Sequence, residues 1–151
     1  MLGKLARWLR MLGHDVQYYR DSEDKQLLEM AQSENRVLLT RDLELYHRAK
    51  THGAKAVFIE AGDRAAKLAD LANLFGFRLE IDLSISRCPK CNEMIRAVSK
   101  EIVINQIPEL TSRYYDEFWK CLGCGQVYWR GAHWKKIEKT LEEAKRKLEP
   151  Q

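Results

Sequence analysis

The sequence predicts an α/β fold: a parallel sheet with flanking helices, followed by a small cysteine-bearing module and a C-terminal helix. Three observations carry this. Segments of helical and strand-like periodicity alternate from the first residue to about Asp82. The alternation stops between Leu83 and Arg87, where the composition changes. The four cysteines then fall into two Cys-x-x-Cys pairs, Cys88/Cys91 and Cys121/Cys124. The expected division is therefore an α/β domain over 1–85 and a second module with its helix over 86–151.

Taken in order, "MLGKLARWLR" places Leu2, Leu5, Trp8, Leu9 and Leu12 at helical spacing, with Lys4, Arg7 and Arg10 at three-residue intervals on a neighbouring face. Gly13 closes this helix, and "VQYY" (Val16 to Tyr19) reads as a short strand. "DSEDKQLLEMAQSEN" opens with acidic residues that complement a helix dipole and turns Leu27, Leu28, Met30 and Ala31 inward. "RVLLT" and "AVFIE" read as strands buried on both faces, separated by the helix "LELYHRAKTHG". Arg64 to Phe75, with Leu68, Leu71 and Leu74, is a fourth helix, and "FRLEID" is a candidate last strand. Cys88 to Trp129 is hairpin-like and aromatic, and Trp134 to Leu148 is a charged helix with Ile137, Leu141, Ala144 and Leu148 on one stripe.

The pattern is one strand short at its front. Two explanations compete, a start assigned to an internal methionine and a protein that truly lacks the strand; the first is the expectation, because deleting a central parallel strand exposes the backbone edges of its neighbours.

Bulk composition bounds the function. With 151 residues, 45% hydrophobic and 32% charged, the chain has one ordinary core's worth of material plus a small module. No apolar run approaches the roughly 18 residues of a membrane span, and the opening residues lack the apolar region and cleavage site of a secretory signal. The net charge of +4 suits a nucleic-acid partner, and most of the excess lies after Arg87.

Each Cys-x-x-Cys pair suits a knuckle that holds two thiolates about 4 Å apart on one tetrahedral ion. Gly123 and Gly125 permit the tight backbone of the second knuckle. Cys88, Cys91, Cys121 and Cys124 are thus expected to hold one structural Zn²⁺, a closed shell with no position for catalytic water. So small a module takes most of its stability from the metal, so losing one cysteine should unfold it. Such thiols point to a reducing, cytoplasmic setting rather than a disulfide framework. His133 is expected to pack or cap at the start of the last helix.

Ligands of an open parallel sheet gather beyond the carboxyl ends of its strands. There the sequence offers Asp21, Glu23 and Asp24 after Tyr19, Asp42 after Thr40, and Glu60 and Asp63 after Ile59. Clustered carboxylates hold Mg²⁺ or Mn²⁺, which activates water for phosphodiester hydrolysis. The same residues also serve as ordinary helix caps. Asp42, in "LLTRD", is the strongest catalytic candidate. Lys4, Arg7, Arg10 and Arg41 are candidate phosphate contacts. The aromatic residues Tyr114, Tyr115, Phe118, Trp119, Tyr128, Trp129 and Trp134 divide between the module's own core and stacking surfaces for unpaired bases.

"MLGKLARWLRMLGHD", "LLTRD", "RCPKCN" and "FWKCLGCGQVYWRGAHW", in that order, resemble the Mut-seven C-terminal ribonuclease-domain family, from Met1 to about Leu141. The resemblance implies a PIN-like nuclease fold followed by a four-cysteine zinc ribbon, with metal-dependent ribonuclease activity. It also implies that Asp42 is the acidic residue of the Thr-Arg-Asp motif, that Asp24 opens the following helix, and that the four cysteines are the zinc ligands. The departure is at the front, where the family has a strand ending in an aspartate that serves as a principal metal ligand. Three functions compete: a PIN-like ribonuclease, a non-catalytic zinc-ribbon module that binds RNA or a protein, and a component of a larger RNA-processing assembly. An uncovered sheet edge also invites a homo-oligomer.

Overall fold

The computed structural model describes residues 2–148. Its elements fall into two compact units, Tyr18–Asp63 and the remainder, which comprises Gly3–Gln17 and the chain from Arg64 onward.

The unit Tyr18–Asp63 holds α2 (Asp24–Ser33), β1 (Leu38–Thr40), α3 (Leu43–Thr51) and β2 (Ala56–Phe58). β1 and β2 pair in parallel, Leu38 opposite Ala56 and Thr40 opposite Phe58, with α3 as the crossover. The Leu38 N–H donates to Lys55 O and the Ile59 N–H to Thr40 O, extending the ladder at both ends. Leu28, Ala49, Ala54 and Ala56 form its core, with Leu38 and Tyr46 packed against them. The small side chains let α3 approach the strands closely. Both strands are half-buried, not covered on both faces as their apolar runs suggested.

The other unit begins with α1 (Leu2–Met11), which buries Leu5, Ala6, Trp8 and Leu9 as its periodicity requires. Lys4 and Arg7 are exposed, whereas Arg10 is buried. α4 (Arg64–Phe75) packs on α7 (Trp134–Leu148), and both have the ends read from the sequence. Ala65, Leu68, Ala69, Leu71 and Ala72 are buried on α4, and Leu141 and Ala144 on α7. Leu74 and Leu148, expected on those apolar stripes, lie near the helix ends and are exposed.

Two expected strands do not form. Val16 to Tyr19 is irregular because the Val16 N–H is taken by the Asn92 side chain rather than by a neighbouring strand. Phe77 to Asp82 is also irregular. Leu79 is buried there, but Asp82 turns the chain by accepting from the N–H and the hydroxyl of Ser84. The fold is thus α/β with a two-stranded parallel sheet and, in the cysteine module, a three-stranded antiparallel one.

That second sheet has the order β3 (Ile95–Val98), β4 (Phe118–Cys121), β5 (Val127–Tyr128). Between β3 and β4 the chain makes α5 (Lys100–Val103), a 3-10 turn (Ile104–Gln106) and α6 (Glu109–Tyr114), which the hairpin reading did not foresee. This insertion is not spare chain. It supplies Val103 and Ile107 to a core with Phe118 and Val127, covered by Val98, Tyr115 and Trp129.

Candidate metal centre and strand-end carboxylates

The two knuckles meet at the ends of the antiparallel sheet. Cys121 is the last residue of β4, and Cys88 precedes β3 on a turn closed by Asn92 N–H donating to Cys88 O and Cys88 N–H donating to Glu93 O. The four sulfur atoms all lie within 4.8 Å of one another. Cys91 Sγ is 3.3 Å from Cys121 Sγ, and Cys88 Sγ is 3.8 Å from Cys124 Sγ. Tetrahedral Zn–S bonds of about 2.3 Å separate sulfurs by about 3.8 Å, so this donor set fits a structural zinc ion.

The surroundings fit thiolates as well. The Gly123 and Cys124 N–H groups approach Cys121 Sγ at 3.3 and 3.4 Å, and the Tyr128 hydroxyl lies 2.9 Å from Cys88 Sγ. Burial, followed by the hydrogen bond and negative charge of Cys88, pushes the Tyr128 phenol well above its ordinary range, so it remains a donor. Bound zinc would cross-link the two knuckles without offering a site to substrate. Gly123 is required sterically, because a Cβ there would lie 2.6 Å from Glu93 Cγ. Gly125, directly after the second knuckle, takes the left-handed conformation at φ 79°. Asn92 occupies the same place after the first knuckle, at φ 74°.

His133 stands outside the sulfur cluster. It immediately precedes α7, and its carbonyl accepts from the Lys136 and Ile137 N–H groups. Most of the aromatic residues are structural. Phe118 and Trp119 are buried, and Arg130 stacks on Trp119 at 5.2 Å while pairing with Glu117 at 2.9 Å. Tyr114 is 76% exposed and is the ring available for stacking.

The candidate acids Asp21, Asp24, Asp42 and Asp63 all lie in the unit Tyr18–Asp63. Parallel pairing sets the ends of β1 and β2 side by side, so Asp42 and Asp63 follow strands that finish at one edge. Asp42 is the N-cap of α3: its Oδ1 accepts from Glu44 N–H at 2.9 Å and Leu45 N–H at 3.3 Å, while its own N–H donates to Thr40 Oγ1. Asp24 is the first residue of α2, and Asp63 immediately precedes α4. Asp21 is exposed. Among the described residues, the cysteines converge as a metal site and no three carboxylates do.

Residues 1–141 match the family described as "Mut7-C RNAse domain". The chain belongs to that family. No curated protein and no solved structure shows a match. For this Mut7-C domain, the cysteine quartet foreseen from spacing is present as a cluster. Sequence reasoning missed what holds the quartet in place: Tyr128, Asn92 and Arg10. Arg10, expected at a phosphate, instead donates from Nε to Val16 O and from Nη1 to Pro89 O, both at 2.9 Å.

Proposed function

We propose that this chain binds RNA through a ribbon held by zinc and, on its own, does not hydrolyse it. The carrying observation is the distribution of ligand groups: four thiolates converge among the described residues, while no three carboxylates do and Asp42 is engaged as the cap of α3. Membership in a ribonuclease-domain family supports RNA as the partner. Lys4 and Arg7 offer sequence-independent phosphate contacts on the exposed side of α1, and Tyr114 offers a face to an unpaired base. The free thiols suit a reducing, cytoplasmic setting.

The test is a salt series of single-stranded RNA binding to the metal-loaded protein, followed by incubation of the same RNA with Mg²⁺ or Mn²⁺. Affinity should fall as salt rises, each of Lys4→Ala and Arg7→Ala should lower the salt slope by about 1, and the RNA should stay intact. Absence of binding at low salt would refute the proposal.

A second reading is a PIN-like, divalent-metal ribonuclease, favoured by the shared strand edge from which Asp42 and Asp63 follow. There Asp42, Asp24, Asp21 and Asp63 would hold Mg²⁺ or Mn²⁺, with Arg41 at the phosphate. Cleavage that needs Mn²⁺ and disappears in Asp42→Asn would establish it.

A further inference from the structure

The residue after the second knuckle is glycine, the least strained choice for a left-handed backbone. The residue after the first knuckle has the same conformation but is Asn92, and it is buried. Its side chain explains the choice. Asn92 Oδ1 accepts from Val16 N–H at 3.0 Å, and Nδ2 donates to Asp15 Oδ1 at 2.7 Å. Arg10 completes the connection from the other side, joining Val16 O to Pro89 O, the carbonyl inside Cys88-Pro-Lys-Cys91. The Arg10 carbonyl itself accepts from Arg87 N–H at 2.8 Å, and Arg87 Nη1 donates to Asn92 O at 3.0 Å. Four of these bonds tie Arg87, Pro89 or Asn92, in or beside the first knuckle, to Arg10, Asp15 or Val16, while Arg10 Nε–Val16 O and Arg87 Nη1–Asn92 O brace the two sides. The chain enters the second unit two residues later, at Tyr18.

We infer that the first knuckle is the receptor for the end of α1: metal held by Cys88 and Cys91 fixes Pro89 and Asn92, and these fix the segment Arg10–Val16. Metal occupancy of the ribbon therefore sets how firmly the chain is held where it leaves this unit. The inference rests on the metal site and is independent of RNA binding.

The test is amide exchange on the full chain, with cobalt(II) as the metal probe. Asn92→Gly keeps the left-handed backbone and removes the side chain. It should retain the thiolate charge-transfer band and the protection of β3 to β5, while the Gly13, His14, Val16 and Arg87 amides exchange about tenfold faster. Arg10→Lys, which keeps the charge but cannot reach two carbonyls as a fork, should do the same. Chelation of the metal from the wild-type protein should release the same amides. Unchanged protection at these amides in either variant, or in the metal-free protein, would overturn the inference. So would loss of β3–β5 protection in both variants, since the clamp would then belong to the ribbon's own folding. Absence of the cobalt band in the wild-type protein would refute the metal site itself.

Discussion

The Tyr128 hydroxyl sits 2.9 Å from the sulfur of Cys88, the most enclosed of the four cysteines. A donor to a metal-bound thiolate spreads its charge and fixes its direction. Tyr128→Phe keeps the ring and removes the donor, and should weaken zinc binding by about tenfold. Competition against a chromophoric chelator measures it, and an unchanged affinity would reduce the contact to simple packing.

Asp42 separates a structural role from a chemical one. Because its carboxylate caps α3, Asp42→Ala should cost about 1 kcal/mol of stability, while Asp42→Asn should cost a few tenths. Denaturant midpoints with an unchanged slope test this. Equal losses for the two substitutions would show that capping is not what the carboxylate contributes.

His14 predicts an acid sensitivity. Its Nε2 is buried without a hydrogen-bond partner, its ring meets Phe77 edge-on at 4.4 Å, and burial lowers its pKa from the ordinary 6.5. The unfolded chain then takes up a proton at a higher pH than the folded one. Stability associated with His14 is present above about pH 6.5 and is lost as pH falls through the folded value. His14→Gln should flatten the wild-type decline below pH 6.5, measured as the difference between the two stability profiles. Parallel profiles would exclude His14 as its source.

Leu68 and Leu74 occupy the same helix and the same expected stripe, with 0% and 59% exposure. Leu68→Ala should cost about 2–5 kcal/mol, and Leu74→Ala less than about 0.5 kcal/mol. Thermal unfolding distinguishes them, and comparable losses would contradict the packing of α4 on α7.

The same contrast shows which parts of the fold the sequence reveals. Arg64–Phe75 and Trp134–Leu148 are readable to the residue because each spans at least three turns with an apolar stripe. Val16 to Tyr19 has strand composition, but the partner of its first amide is a side chain 76 residues away, which no local pattern can announce. The helices between β3 and β4 run four and six residues, too short for a period to register.

Arg10 carried a signal that is available on inspection. Positions three apart on a helix of 3.6 residues per turn drift by about 60° each step, so Lys4 and Arg7 remain outside while Arg10 rotates inward. At the candidate site, the cysteine quartet was legible because metal geometry dictates spacing. The roles of Asn92 and Tyr128 were not, because either residue is unremarkable until the chain has folded around it.

The insertion between β3 and β4 also has a consequence in time. It places the second pair of cysteines about 30 residues after the first, so at 5–20 residues per second a ribosome delivers Cys88 and Cys91 roughly 2–6 seconds ahead of their partners. During that interval the nascent chain carries two unpartnered thiols, with the α1 segment that the finished knuckle will grip already synthesised. Synthesis therefore presents half a metal site first, and its shell can close only when the other half arrives.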